Sequence, residues 1–319
     1  MMKKLKQSIG LPMMLARKGK AYSLLAALLT PAAPVLPLLF ESKLLFMPSR
    51  EMEGCPADHG LKFEELVVTT PDGCRIHGWL MMPEVMTPDG KPKAWVLYSH
   101  GTSGNISSRP EIAARLIQRG IATLVYDYRG YGNSEGTPTE KGTYTDGETM
   151  LHELLSRAQD PRRVFLFGRS LGGGVSHELA FRHPELGGLI TDAAFTSVQA
   201  ITRILLPIPF MWRFVRSRYD NLSKARALKI PRLVMHGTDD TVVPFSMGEE
   251  LRDCTEPKSR FHAIEEAGHM NTYVIGGDEY ADVVSKFIDS CIERSRDSGR
   301  DSGPDSGPDS RIDHSMDAT

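Results

Sequence analysis

The sequence predicts an α/β protein, a mostly parallel sheet with helices on both faces. Three observations carry this. Continuous apolar runs such as Ala94–Ser99 and Val164–Phe167 read as strands buried on both sides. Segments with helical spacing alternate with them, as in Ile112, Ala113, Leu116 and Ile117. The Val164–Phe167 run also leads through Gly168-Arg169-Ser170-Leu171-Gly172 into a second helical pattern, Leu171, Val175 and Leu179.

The elements follow in order. Phe63–Thr69 and Cys74–Met81 form a strand pair around the turn signal Pro71-Asp72-Gly73. Ala94–Ser99 precedes a helix at Glu111–Arg119, which Gly120 ends. A strand at Ile121–Tyr126, a helix near Tyr144–Arg157, the strand Val164–Phe167 and the helix after Ser170 come next. Leu189–Asp192, Leu233–His236 and Phe261–Ile264 are further strands, and Val283, Val284, Phe287, Ile288 and Cys291 mark a last helix. Between Ala194 and Ile230 the rhythm breaks, and a short cap is expected over about 195–230.

The 319 residues, 40% hydrophobic and 24% charged, suit one large domain at 46–294 with appendages. A formal net charge of −2 gives no basic field for nucleic acid. Cys55, Cys74, Cys254 and Cys291 have no C-x-x-C spacing. That argues against a zinc site or a disulfide framework and for scattered free thiols. No metal or cofactor is called for.

Both ends differ from the middle. Residues 1–20 hold six basic residues and no acid, and Ala21–Phe40 is free of charge. At ~1.5 Å per residue that run is long enough to cross a bilayer. The basic flank would stay cytoplasmic, so 1–45 is expected to be a single membrane anchor with the domain on the non-cytoplasmic side. Pro31, Pro34 and Pro37 interrupt the helical pattern. A cleaved signal peptide, giving a secreted or periplasmic protein, and a surface-lying segment are the alternatives. Residues 297–311 repeat Asp-Ser-Gly without apolar side chains, so 295–319 is expected to be a disordered tail.

Strand, G-x-S-x-G, helix is the context of a nucleophile elbow, which lifts a serine hydroxyl above the carboxyl ends of the sheet. Ser170 is the candidate nucleophile. Gly168 and Gly172 are needed because a side chain at either would collide with the neighbouring strand or helix. A serine hydroxyl requires a base, and the chain order on such a sheet is Ser, then acid, then His. Three histidines follow residue 240. His314 is in the tail and His262 falls inside a strand, whereas His269 stands in a strand-end loop and is the candidate base. Asp240, in the loop after Leu233–His236, is the candidate acid; adjacent Asp239 is expected to be solvated, and Asp192 is the other choice. The oxyanion needs preorganised donors. The backbone N–H groups of Leu171 and Thr102 are the candidates, with Gly101 allowing close approach and His100 holding the loop. Asn105-Ile106-Ser107 matches a glycosylation sequon, discounted because this loop belongs to the site.

These motifs resemble those of an α/β-hydrolase over about Phe46 to Ile292. The segment Tyr126-Asp127-Tyr128-Arg129-Gly130-Tyr131-Gly132-Asn133-Ser134-Glu135-Gly136-Thr137-Pro138 is similar to one found in a branch of that superfamily. The branch holds membrane-anchored lysophospholipases, monoacylglycerol lipases and ABHD-type depalmitoylases. Asp239-Asp240-Thr241-Val242-Val243-Pro244-Phe245 resembles its acid loop. The oxyanion loop departs from it, reading His-Gly-Thr-Ser where His-Gly-Asn-Ala is common. The resemblance puts the Ser, Asp and His roles on Ser170, Asp240 and His269. It implies a serine hydrolase of acyl esters or thioesters, with lipid-like substrates (lysophospholipid, monoacylglycerol) favoured. A serine peptidase of the same fold and a non-catalytic, membrane-tethered binding protein are the alternatives.

Overall fold

The computed structural model describes residues 45–300 except 109, 206–210 and 214. Eight strands form one sheet: β1 (Phe63–Thr69), β2 (Arg75–Met81), β3 (Ala94–Ser99), β4 (Ile121–Tyr126), β5 (Val164–Arg169), β6 (Gly188–Asp192), β7 (Arg232–Gly237) and β8 (Arg260–Ile264). Their spatial order is β1-β2-β4-β3-β5-β6-β7-β8. β2 runs antiparallel to both its neighbours, and every other pair is parallel. The helices are α1 (Pro110–Ile117), α2 (Glu140–Ala158), α3 (Leu171–Arg182), α4 (Val198–Leu205), α5 (Asn221–Ala227), α6 (Phe245–Asp253), α7 (Thr272–Ile275) and α8 (Gly277–Arg300).

Alternate residues of each strand enter opposite cores. Trp95, Leu97, Val164 and Leu166 pack with Leu151 and Leu154 of α2 and Val175 and Leu179 of α3. Val96, Tyr98, Phe165 and Phe167 pack with Ile112 and Leu116 of α1 and Val284 and Phe287 of α8. Coverage on both faces is why these strands read as unbroken apolar runs rather than alternating ones.

The order places β4 on one side of β3 and β5 on the other. Successive connections therefore leave β3 in opposite directions, and the loops after β3 and β5 part at their carboxyl ends. Such a switch point is where an open α/β sheet offers a crevice to a ligand.

Three features differ from the sequence expectation. The break at 195–230 is not all cap. Tyr219 packs where a Cβ on Gly174 of α3 would stand, and its hydroxyl lies 2.7 Å from Thr143 Oγ1 of α2. Glu140 accepts from the Arg218 and Tyr219 N–H groups at 2.6 and 2.7 Å. Residues 218–227 thus belong to the body, which leaves α4 and the short turn Met211–Arg213 as the cap. At the other end α8 runs to Arg300, so 295–300 continue a helix. A short parallel pairing of Met47–Pro48 with Ser103–Gly104 was not expected at all. The four cysteines are unpaired. The expected anchor at 21–40 and the repeats at 301–311 lie outside the described residues; among those described, no helix is long and apolar enough to cross a membrane.

Candidate active site

Ser170 stands between β5 and α3 with φ 51° and ψ −116°. The turn is this sharp because nothing larger than hydrogen fits around it. A Cβ on Gly168 would overlap the Gly172 carbonyl, and one on Gly172 would overlap the Ser99 carbonyl. The Ser170 N–H donates to Asp192 O of β6 at 2.9 Å. A non-glycine residue held in such a conformation stores on the order of 1–3 kcal/mol. Ser170→Gly is therefore expected to raise the unfolding free energy by about 1 kcal/mol after the entropic penalty of glycine. A denaturant melt reads this directly, and a loss of stability would contradict the strain.

The turn brings three of the predicted residues together. His269, in the loop after β8, points Nε2 at Ser170 Oγ, 3.0 Å away. Its Nδ1 is 2.7 Å from Asp240 Oδ2. The second Asp240 oxygen accepts from the Val242 and Val243 N–H groups, each at 2.8 Å. Burial opposes ionisation of Asp240, but hydrogen bonds from His236 and His269 outweigh it and hold the carboxyl well below the usual range. His236 Nε2 lies closer to Val243 O, at 2.9 Å, than to Asp240 Oδ2, at 3.4 Å. The other acids go elsewhere. Asp239 is exposed. Asp192 is buried against Arg169, with Nε to Oδ2 at 3.3 Å, and accepts from Thr272 Oγ1 and Tyr280 OH at 2.7 and 3.0 Å.

The loop after β3 runs beside the serine. A Cβ on Gly101 would be 3.5 Å from Ser170 Cβ, so the Gly101–Thr102 peptide flanks the hydroxyl. The N–H groups of Thr102 and Leu171 have no partner among the described residues. Two free donors beside one hydroxyl are what an oxyanion needs.

Sequence reasoning missed what holds this loop. Tyr128 OH donates to His100 O and Tyr131 OH to Thr102 O, at 2.7 and 2.8 Å. Asp127 is buried between His77 and His100, and its Oδ1 accepts from Ile106 N at 2.9 Å. The motif-like segment after β4 is therefore a bracket for the loop after β3. His100 Nδ1 contacts Gly101 O at 2.7 Å, in keeping with a holding role. Asn105 is buried and donates from Nδ2 to Ser49 O and Glu51 O. It ties the loop to the amino-terminal segment, which leaves no room for a glycan. Arg169, one residue before the serine, donates to His269 O. The signal available was position inside the motif, but its partner lies a hundred residues away.

Among the described residues Glu148, His152 and His183 bring possible metal-ligating atoms within 4.8 Å. They sit at the far end of α3 from Ser170. His183 is held between Glu148 Oε1 at 2.5 Å and Glu185 Oε1 at 2.9 Å. The Glu148 hydrogen bond outweighs burial and raises the imidazole pKa. A doubly paired imidazolium accounts for the cluster without an ion. A cleft lined by Pro161, Gly187 and Ile230 opens at the amino ends of β5–β7, away from the serine.

Known proteins share this arrangement of strands. An uncharacterised protein of Mycobacterium tuberculosis is 31% identical over 225 residues, covering 70% of this chain and 78% of its own. A family model described as serine aminopeptidase, S33, matches residues 90–219. The chain belongs to the α/β-hydrolase superfamily. The alpha/beta hydrolase domain-containing protein WAV2 of Arabidopsis thaliana is 29% identical over 291 residues, 83% of this chain and 92% of that one. Among solved structures, the esterase Pf2001 of Pyrococcus furiosus superposes with a TM-score of 0.63 at 19% identity, covering 76% of this chain and 98% of the esterase. An esterase domain from a Rhodothermus marinus protein gives a TM-score of 0.55 at 22% identity, covering 71% and 100%. The sheet order and the match from β3 to the cap agree with the superfamily's fold.

Proposed function

We propose that this α/β-hydrolase is a serine ester hydrolase acting on acyl esters or thioesters, with lipid-like substrates such as lysophospholipids and monoacylglycerols favoured. One observation carries the reading: the unbroken line from Asp240 Oδ2 through both nitrogens of His269 to Ser170 Oγ, at 2.7 and 3.0 Å. In this reading Ser170 Oγ attacks the acyl carbonyl while His269 Nε2 takes its proton. Asp240 fixes the tautomer and stabilises the imidazolium. The Thr102 and Leu171 N–H groups receive the oxyanion. His269 then protonates the departing alcohol or thiol, and water, deprotonated by the same nitrogen, releases the acid from the acyl-enzyme. That two solved neighbours are named esterases agrees with it.

The family model's description favours a peptidase as the second reading. The cap argues the other way. From Ala193 to Tyr219 there are four arginines and no Asp or Glu, so this stretch offers no carboxylate to a free amine. The proposal also places the protein at a membrane, anchored through 21–40 with 46–294 on the non-cytoplasmic side. Release from membranes by alkaline carbonate would overturn that part.

A fluorophosphonate probe tests the chemistry. The expected adduct is on Ser170, located by mass spectrometry of the labelled peptide. No adduct, or one confined to another serine, would sink the hydrolase reading. Nitrophenyl esters of rising chain length then test the lipid bias, which a preference for acetate contradicts.

A further inference from the structure

Ten large apolar side chains are exposed among the described residues, and they are unevenly placed. Six of them lie on three segments: Met47 on one and Met270, Val274 and Ile275 on another, both bonded to the candidate site, and Ile204 and Leu205 on the cap helix. Met270 follows His269 directly, and Val274 and Ile275 belong to α7, whose Thr272 hydroxyl is bonded to Asp192. Ile204 and Leu205 end the cap helix α4, whose Val198 and Ile201 are buried. Met47 donates its N–H to Thr102 O of the oxyanion loop, at 3.1 Å. Exposed apolar side chains on segments next to a site mark a surface that meets something apolar.

We propose that this surface docks on an anionic lipid bilayer, so that the acyl substrate enters the Ser170 site from the membrane; the proposal rests on the ester-hydrolase reading above. Three further observations select a bilayer as the occupant. The cap carries positive charge alone, Arg203 and Arg213, which complements anionic headgroups. Trp212 stands among them with the Arg203 guanidinium 3.7 Å from its ring centroid, an amphipathic pair suited to an interface. The chain outside the structure supplies the third. The uncharged run ends at Phe40, and seven residues later the chain is bonded to the oxyanion loop. Fully extended, that link spans at most about 25 Å. A chain anchored through 21–40 would hold the site within that reach of the headgroups.

Trp212 supplies a direct probe. Trp79 and Trp95 are buried, whereas Trp212 is partly exposed. The full chain is reconstituted in phosphatidylcholine vesicles with a minority of phosphatidylglycerol, the acyl chains brominated. Quenching is expected in the wild type and absent from Trp212→Phe; an unquenched Trp212 overturns the proposal. In parallel, Val274→Ser/Ile275→Ser is expected to slow hydrolysis of a long-chain ester embedded in the vesicles by about tenfold, leaving a soluble acetate ester within about twofold. An equal fall on both esters means the pair supports the fold rather than docking, and overturns it. So does a surface that proves to be covered by a second copy of the chain, seen as a dimer in the wild type that the double variant abolishes. If neither ester is hydrolysed by the wild type, the ester-hydrolase reading fails, while quenching still decides the docking.

Discussion

Asp240→Asn is expected to lower kcat by about 10^4-fold while leaving the fold intact. The reason is in how the carboxylate is held. Oδ1 already accepts two backbone N–H groups, from Val242 and Val243. An asparagine would keep its oxygen there and turn its amide NH2 toward His269 Nδ1. The ring must then offer a lone pair at Nδ1 and carry its proton on Nε2, facing Ser170. That tautomer cannot accept the serine proton. Steady-state kinetics on a soluble ester check this, with circular dichroism confirming the fold. A loss smaller than tenfold would show that Asp240 is not the acid. The same variant has a signature in stability. The folded pKa of Asp240 is depressed, so its contribution is complete above the ordinary carboxylate pKa of about 4 and fades as the pH falls below it. The stability gap between wild type and Asp240→Asn should therefore shrink on acidification from neutral pH toward about 3.

Most of the sheet and the order of the site residues could be read in the sequence, because both depend on local pattern. Buried parallel strands must be apolar throughout, and each candidate residue sits just past one of them. Ser170 follows β5, Asp240 follows β7 and His269 follows β8. What could not be read depends on partners far away in the chain. Nothing near Tyr219 announces that its ring fills the space above Gly174, so the cap looked longer than it is. Asn105 looked like a sequon because its true partners, Ser49 and Glu51, are more than fifty residues away. The run of charged and small residues after Ile292 carries no apolar periodicity, yet α8 propagates to Arg300, each further residue adding one bond to an established helix.

Arg169 is the clearest case of such a distant partner, and its replacement should be the most damaging to stability. The Arg169 side chain is 3% exposed and that of Asp192 0%, so bulk solvent screens these neighbours on adjacent strands little. Burial pulls the Arg169 pKa down, but the charge of Asp192 and neighbouring tyrosines more than offsets it and leaves the pKa raised. Removing one member of such a pair strands the other, which costs about 3–5 kcal/mol. Arg169→Met is expected to lose that much in a urea melt. Arg169→Met/Asp192→Asn should recover about 1–2 kcal/mol of it, because the neutral amide oxygen can still accept from Thr272 and Tyr280 without stranding a charge. Activity should not follow stability. Both variants lack the guanidinium that donates to the His269 carbonyl, so the imidazole loses one of its fixed points. A displacement of the base by about 1 Å is enough to cost on the order of 10^2-fold in kcat. Partial rescue of stability with no rescue of kcat would identify Arg169 as a positioning residue that acts through the His269 loop. Recovery of both together would mean that the pair serves the fold alone.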